Sequence, residues 1–393
     1  MAAKQRWPII TAEDRAAVAR VLDRGVLSGA GAPEMRALEA EFAAALGGGF
    51  CLATNSGTSA LHIALGAMGL RAGDEVIVPA LSFIATAQAV LHAGGVPVFA
   101  DVDRATYNVD PEAVAARVTP RTRAIVAVHL HGLPAEMDAL AGLARRAGLV
   151  LIEDAAQAHG AVYHGRPVGT LADMAAFSLN STKNLPAGEG GLFVTGSEEL
   201  YARAARVRFD GLEPPSKYDP EHPLDDEADS LATVRGWMYL PGEMTSALAR
   251  AQLARLDETT ARAQRNGARL TARLAALPGV VPPAVPPDRT HVFHKYRVRL
   301  DPQAAGLSLS ARALRDRTLD ALRAEGVEAV LWQRTPLPAH PLFGAPDAAP
   351  VAADALDGSL VIGSQSYPLF AQPLEVINAW AEGFERVWNS LRS

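Results

Sequence analysis

Residues 124–160 read AIVAVHLHGLPAEMDALAGLARRAGLVLIEDAAQAHG, in which two apolar runs flank a segment of helical character. The runs AIVAVHL (124–130) and LVLIEDA (149–155) have the length and the β-branched content of buried strands. The segment around residues 135–146 is typical of a helix. This order of strand, helix and strand predicts two parallel strands of a sheet that is buried on both faces.

The same alternation continues from this unit toward the N-terminus. It predicts, in chain order, helices over 11–24 (with Thr11 as the cap) and 33–46, a strand over 51–54, a helix over 60–70, a strand in GDEVIVP (73–79), a helix over 84–93 and a strand in VPVFADV (96–102). Sheets of this kind bind ligands at the carboxyl ends of their strands. The turns NSGTS (55–59) and EDAAQ (153–157) lie at such ends. We therefore expect the two turns to meet in space.

The pattern changes after about residue 208. The stretch 209–235 is acidic and Pro-rich and predicts a long loop, of the kind that often shapes a binding pocket. Residues 244–275 predict one long helix, and the Pro-rich segment 278–288 predicts a connector.

The last hundred residues predict a smaller unit. KYRVRL (295–300) is typical of a strand, and helices are expected over 310–325 and 374–391. We expect an α/β protein with a large domain, residues 1–245, built on a mostly parallel central sheet. Residues 246–393 would then comprise the long linking helix and a small C-terminal α+β domain.

Composition excludes several classes of protein. The 393 residues are 49% hydrophobic, carry a net charge of -6 and contain no basic stripe, so nucleic acid is not an expected partner. No stretch approaches the roughly 18 to 20 apolar residues of a membrane span, and the N-terminus lacks the apolar core of a signal peptide. The single cysteine, Cys51, cannot form an internal disulfide and is expected to be a buried core residue. We expect a cytoplasmic protein without a metal site.

Lys183 is the first candidate for chemistry, in SLNSTKNLPAGEGG (178–191). Taken alone, it is explained as a solvated loop lysine, and its surroundings in the sequence change that interpretation. A site for pyridoxal phosphate (PLP) needs a lysine amine, a carboxylate for the ring nitrogen, phosphate-binding groups and a flat side chain against the ring. The chain supplies a candidate for each of these needs.

The other three candidates lie near the ends of predicted strands. The turn SGTS (56–59) precedes a predicted helix, whose free backbone amides suit a phosphate. Asp154 ends an apolar strand, where a carboxylate is costly to bury without a partner, and Phe83 follows the strand EVIVP. A helix cap, a strand-end turn and a core aromatic are the structural alternatives. Their joint occurrence in this order favours a PLP site.

The chain resembles the DegT/DnrJ/EryC1/StrS family of PLP-dependent aminotransferases, which has the aspartate aminotransferase-like fold (fold type I). The most specific part of the resemblance is EDAAQAHGA, followed by SxxxxK and then GEGG. The resemblance covers about residues 10–260 and rests on NSGTSALHIAL, GDEVIVPALSFIATAQAV, FADVDRATYNVDP, VHLHG, LIEDAAQAHGA, VGTLADMAAFSLNSTKNLPAGEGG and AQLARLD.

The resemblance implies a role for each of these positions. Lys183 would form the Schiff base with PLP and shuttle the substrate proton. Asp154 would pair with the ring nitrogen, Gln157 would contact the region of the ring hydroxyl, and Phe83 would stack on the ring. Sugar 3-dehydratases of this family carry histidine at the position of Lys183, so the lysine favours amino transfer.

Further positions are implied to bind phosphate or substrate. The phosphate would be bound by Gly57, Thr58, Ser59 and Ser178. His131, in VHLHG, could face the substrate or be a structural histidine. Candidates around the substrate are His131, His159, Glu189, Trp332, Gln333 and His340.

One segment departs from the family pattern. Relatives read GYNYRM where this chain reads GWMYLPGEM (236–244), with Met238 at the position of the Asn and Leu240 at that of the Arg. In relatives the Asn reaches the cofactor phosphate of the second subunit, and methionine cannot donate that hydrogen bond. Either another donor, such as Trp237 or Tyr239, replaces it, or phosphate binding is weaker than in relatives. The resemblance implies a homodimer whose active sites are shared across the interface.

Three functions follow from these observations. The first is transfer of an amino group from glutamate or glutamine to a keto group of a nucleotide-linked sugar or a cyclitol, in secondary-metabolite or cell-surface sugar biosynthesis. TYNVDPEAVAARVTPRTRAIVAVH (106–129) is also similar to the aminohydroxybenzoate synthase branch, which makes an aromatising PLP lyase the second. The third is a PLP-binding pseudoenzyme or regulator, against which Lys183, Asp154 and Gln157 argue.

Overall fold

A computed structural model describes residues 3–214, 231–345 and 348–393 of the chain. Its helices are α1 Ala12–Arg24, α2 Pro33–Ala45, α3 Gly57–Ala67, α4 Ala85–His92, α5 Pro111–Ala115, α6 Met137–Ala147, α7 Glu198–Arg208, α8 Glu243–Leu253, α9 Leu256–Leu274, α10 Ala311–Ala324, α11 Pro350–Asp357 and α12 Leu374–Arg392. Its strands are β1 Phe50–Thr54, β2 Glu75–Pro79, β3 Val96–Ala100, β4 Thr122–Val128, β5 Val150–Asp154, β6 Val162–Tyr163, β7 Arg166–Pro167, β8 Met174–Ser178, β9 Gly191–Thr195, β10 Val280–Val281, β11 Tyr296–Leu300, β12 Ala329–Val330 and β13 Ser359–Ile362.

The central sheet has the strand order β1-β9-β8-β5-β4-β2-β3 within the described residues. Strands β8, β5, β4, β2 and β3 are parallel to one another, and β9 is antiparallel to both β8 and β1. Helices α2, α6 and α8 pack on one face and α3, α4 and α7 on the other. Because both faces are covered, β2, β8 and β9 are buried throughout, which explains their mostly apolar sequences. The predicted mostly parallel sheet is confirmed.

A smaller antiparallel sheet, β10-β11-β13-β12, follows in the C-terminal part. Helices α9, α10 and α12 pack against it through a core that includes Trp380 and Trp388. The strand expected in KYRVRL is β11, and the two helices expected beyond it are α10 and α12. The predicted α+β unit is therefore confirmed, and the whole has the organisation of PLP fold type I.

The prediction of one continuous helix over 244–275 is wrong. The chain leaves helical geometry at Arg255 (φ -114°, ψ 8°), between α8 and α9. The Arg255 guanidinium contacts the buried Asp14 carboxylate of α1 at 2.7 Å, which fixes the turn. As a result α8 packs on α1 and α2, whereas α9 packs on α12. The domain boundary at residues 245 and 246 remains a prediction.

Two further expectations concern the ends of segments. Helix α3 begins at Gly57, three residues before the predicted start, so Gly57, Thr58 and Ser59 form its first turn instead of preceding it. Most of the predicted loop 209–235 lies outside the described residues.

In the described ranges, no helix combines the length and apolarity that crossing a bilayer requires.

Candidate active site

The candidate site is a cavity of about 520 Å³ at the carboxyl ends of the parallel strands. The start of α3, the end of β5 and the loop that carries Lys183 all line it, as the sequence predicts. Phe83, which follows β2, and Trp332, from the C-terminal part, complete the wall. The turns NSGTS and EDAAQ, about a hundred residues apart in sequence, therefore meet at one site.

Lys183 lies in the loop between β8 and β9 and is held there by backbone contacts. Its amide donates to the Asn180 carbonyl at 2.9 Å, and its own carbonyl accepts from Trp7 Nε1 at 3.1 Å. Burial lowers the pKa of the Lys183 amine to about 8, although the Asp154 and Glu189 carboxylates oppose the change. A larger share of the amine is therefore neutral and nucleophilic near physiological pH than in a solvated lysine.

Asp154 is a buried carboxylate at the end of β5. Its Oδ2 accepts a hydrogen bond of 2.7 Å from Thr86 Oγ1, and its Oδ1 accepts one of 3.2 Å from the Ala156 amide. Burial raises the pKa of Asp154, whereas these hydrogen bonds and the Lys183 ammonium lower it. Asp154 forms no ion pair with any described residue, so a cationic ligand atom such as a protonated ring nitrogen would offset the cost of its burial.

The first turn of α3 lies directly against Ser178. Ser56 caps the helix by accepting from the Ser59 amide at 3.0 Å, and a Cβ on Gly57 would lie 2.7 Å from the Ser178 Cβ. Gly57, Thr58 and Ser178 line the cavity. The Ser59 hydroxyl donates to Asn55 Oδ1 at 2.6 Å and is not among the residues that line it. A helix N-terminus in close contact with a hydroxyl fits a phosphate dianion.

Gln157 and Phe83 complete the set predicted around a ring. The Gln157 Oε1 accepts from the His131 amide at 2.8 Å, which fixes the side chain at the cavity wall. Phe83 is 57% exposed and stands at the mouth of the cavity. A buried carboxylate, a fixed amide and an accessible aromatic ring would suit a flat, nitrogen-containing ring.

Glu189 and Trp332 are the two predicted substrate residues that line the cavity. Glu189 Oε1 accepts from Asn180 Nδ2 at 2.7 Å. The Trp332 ring packs edge-on against His131, with 4.9 Å between the ring centroids. Both side chains are thus accessible from the space next to Lys183.

The other four predicted substrate residues do not line this cavity. The ring of His131 accepts from Arg297 Nε at 2.9 Å and lies behind Trp332. His159 is buried, packs on Phe177 and has no hydrogen bond at either ring nitrogen. Gln333 donates to the Ser82 carbonyl. His340 packs in the segment that follows Pro336, outside the cavity wall.

Several polar residues that the sequence did not single out line the cavity as well, among them Thr86 and Lys295. Thr86 is the hydrogen-bond donor to Asp154. Lys295 immediately precedes β11 and is buried. A lysine directly before a predicted strand was the available signal, but the cavity that it borders is lined mainly by residues more than a hundred positions away in the sequence.

The segment GWMYLPGEM does not line the cavity of its own chain. The Tyr239 hydroxyl forms a hydrogen bond of 2.9 Å with His62 Nδ1. The Trp237 ring packs on the His62 ring, with 4.2 Å between the ring centroids. Met238 is 52% exposed, and Leu240 packs against the core. Replacement of the usual Asn by Trp237 or Tyr239 of a second copy remains a prediction.

The fold and the cavity define a PLP-dependent enzyme of fold type I. The chain belongs to the DegT/DnrJ/EryC1/StrS aminotransferase family, whose model matches residues 8–367. The family uses PLP, and the cavity offers the amine, the carboxylate and the helix N-terminus that this cofactor requires.

Individual relatives agree with this assignment. Protein MosB of Rhizobium meliloti is 34% identical over 96% of this chain and 78% of its own length. The crystal structure of 3-amino-5-hydroxybenzoic acid (AHBA) synthase is 33% identical, covers 99% of both chains and has a TM-score of 0.87. DesV of S. venezuelae, solved with a ketimine intermediate, is 35% identical over 97% of this chain and 99% of its own, with a TM-score of 0.83.

Proposed function

We propose that this aminotransferase moves the amino group of glutamate or glutamine to a keto group of a nucleotide-linked sugar or a cyclitol. One observation carries the proposal: the Lys183 amine, the Asp154 carboxylate and the N-terminus of α3 border the same cavity. The similarity to a further relative, the sugar aminotransferase CalS13 of Micromonospora echinospora (27% identical, TM-score 0.84), supports a sugar as acceptor.

Each residue then has a defined task. Lys183 would attach the cofactor through its buried amine, which is partly neutral near pH 8. The same amine would move the proton at the substrate carbon. Asp154 keeps the ring nitrogen of the cofactor protonated, and the bound ring supplies the sink for electrons released at the substrate carbon. Gln157 orients the ring, and Phe83 covers one of its faces.

The remaining residues bind the phosphate and complete the enclosure. Gly57 and Thr58 offer backbone amides at the start of α3, Ser178 offers a hydroxyl, and Ser59 shapes the turn through Asn55. We propose a homodimer in which GWMYLPGEM reaches the partner's cavity. The exposed Met238 is consistent with such a contact. A stable and active monomer in a size measurement would contradict this part of the proposal.

A second function is favoured by the similarity to AHBA synthase, whose sequence identity of 33% is close to the 35% of DesV. In that case the enzyme would remove water from a cyclic substrate and leave an aromatic product. The amino donor would not be consumed. The two functions share Lys183 and Asp154 and differ in the fate of the amino group.

The test separates the two half-reactions. The holoenzyme is mixed with L-glutamate or L-glutamine, with D-glutamate as the control, and release of the 2-oxo acid is measured together with the cofactor absorbance. Keto-sugar nucleotides and keto-cyclitols are then added, and the aminated product is identified by mass spectrometry. If neither L-glutamate nor L-glutamine is converted to its 2-oxo acid, amino transfer from these donors is contradicted. An aromatic product without amino-acid consumption would establish the lyase.

A further inference from the structure

Lys295 is a buried lysine at the wall of the Lys183 cavity. The residue is only 6% exposed, and its side chain makes no hydrogen bond or ion pair with any described residue. It also borders a second, much smaller cavity of about 10 Å³, which it shares with His131 and Arg297. An ammonium group in this position has lost most of its water without gaining a protein partner.

The charge of Lys183, which acts on the Lys295 amine, is also positive. Burial and the Lys183 ammonium lower the pKa of Lys295 to about 7, and no carboxylate opposes them. Arg297, two residues further along the chain, is buried as well. Its guanidinium donates to the His131 ring, the Ser359 hydroxyl and the Trp332 carbonyl, which are all uncharged acceptors. Lys295 and Arg297 therefore form a buried positive region without a counter-charge among the described residues.

Asp154 and Glu189, the acidic residues of the cavity wall in the described part of the chain, do not supply that counter-charge. Asp154 accepts from Thr86 and acts on the pKa of Lys183. Glu189 accepts from Asn180 and also acts on Lys183. Neither carboxylate acts on the pKa of Lys295, which is left open to an anion that enters the cavity.

We propose that Lys295 binds a carboxylate of the substrate. The inference deepens the proposed function, on which it rests, by assigning an anion-recognition residue to the substrate half of the cavity. A charge-assisted hydrogen bond from the ammonium to a carboxylate would offset the cost of burying both groups. Two substrates could bring the carboxylate: the amino-acid donor, or a cyclic acceptor that is itself an acid. Arg297 is a positioning residue that holds Trp332 and His131 beside Lys295.

The test measures binding of unreactive acids to the holoenzyme by calorimetry. Glutarate carries the carbon skeleton of the donor, and cyclohexanecarboxylate carries the ring of an acidic acceptor. In Lys295→Met, which keeps the length of the side chain without its charge, affinity for at least one acid should fall about tenfold to a hundredfold. Lys295→Arg should retain most of it. Uncharged glutaramide should bind both proteins alike, and Lys4→Met, at an exposed lysine, should match the wild type.

Each outcome of the binding measurements either supports or contradicts the assignment of Lys295. Weaker binding of glutarate assigns the carboxylate to the donor, and weaker binding of cyclohexanecarboxylate alone assigns it to the acceptor. Unchanged affinities in Lys295→Met, or a wild-type holoenzyme that binds neither acid, would overturn the proposal. So would loss of cofactor absorbance in Lys295→Met with unchanged acid binding, because the counter-charge would then be the cofactor phosphate. Failure of the proposed function is seen separately, as absence of 2-oxo acid release by the wild type.

Discussion

Thr86 Oγ1 donates a hydrogen bond of 2.7 Å to Asp154 Oδ2, and both side chains are buried. The Thr86 oxygen also lies 2.8 Å from the Ser82 hydroxyl, so a short chain of hydroxyl groups ends on the carboxylate. This hydrogen bond lowers the pKa of Asp154, which burial raises. The ionised state of the proposed partner of the cofactor ring therefore depends on Thr86.

Replacing Thr86 by valine should weaken cofactor binding. The variant loses a hydrogen bond to a charged group, so we expect affinity to fall about tenfold or more. Because the pKa of Asp154 should rise, the loss of affinity on acidification should begin at a higher pH than in the wild type. Titration of the apoenzyme with cofactor between pH 5.5 and 8, followed by absorbance, measures both effects. Thr86→Ser keeps the hydroxyl and should resemble the wild type. Identical titrations for Thr86→Val and the wild type would contradict the assignment.

The parts of the fold that sequence periodicity predicts are those in which local pattern and burial agree. β4 and β5 were predictable because parallel strands buried on both faces are apolar over most of their length, and α6 because the segment between them has a helical pattern. The meeting of Asp154 with the NSGTS turn followed, since carboxyl ends of parallel strands share one edge.

Features set by distant contacts were not predictable. The break before α9 depends on the ion pair of Arg255 with Asp14, which is 241 residues away in the sequence. The helical pattern of 244–275 contains no signal for this break. His131 has a backbone φ of 61°, and its ring accepts a hydrogen bond from Arg297 and does not line the cavity. Lys295 could be identified as a candidate site residue only from the structure, in which the charge of Lys183 acts on its amine.

The amine of Lys183 should react with the cofactor aldehyde over an unusually low pH range. Burial lowers its pKa to about 8, so the ammonium is lost as the pH rises through about 8 instead of the ordinary value near 10.5. The rate of covalent attachment to the apoenzyme should therefore rise between pH 6.5 and 9 with a midpoint near 8. Stopped-flow absorbance measures this rate, and Lys183→Ala, the control, should show no covalent attachment. A midpoint near 10 would contradict the buried environment of the amine.

Gly57→Ala should disturb both stability and cofactor binding. The added Cβ would lie 2.7 Å from the Ser178 Cβ and 3.2 Å from the Phe177 carbonyl oxygen, neither of which can move without shifting β8. Overpacking of this kind costs about 1–3 kcal/mol of unfolding free energy. It should also displace the N-terminus of α3 from the phosphate, so cofactor affinity should fall.

Urea unfolding of the apoenzyme and cofactor titration measure the two effects of Gly57→Ala. Gly196→Ala is the matched control, because a Cβ at Gly196 would meet no atom within 4 Å. Normal stability and normal affinity in Gly57→Ala would show that α3 and β8 are less tightly packed than in the structure.

His159 should make the protein sensitive to acid. Burial, with a smaller contribution from Lys183, lowers its pKa from 6.5 to about 3. Between these values the unfolded chain binds a proton that the folded chain excludes, so stability falls by about 1.4 kcal/mol for each unit by which the pH drops below 6.5. Since neither ring nitrogen has a hydrogen bond, His159→Leu should keep the fold while removing this dependence. The loss of unfolding free energy from pH 7 to pH 5 should then be about 2 kcal/mol smaller than in the wild type. Urea unfolding of the apoenzymes at both pH values tests this prediction, and His164→Leu, at an exposed histidine, is the control. An equal loss of unfolding free energy in all three proteins would mean that His159 is already protonated in the folded state.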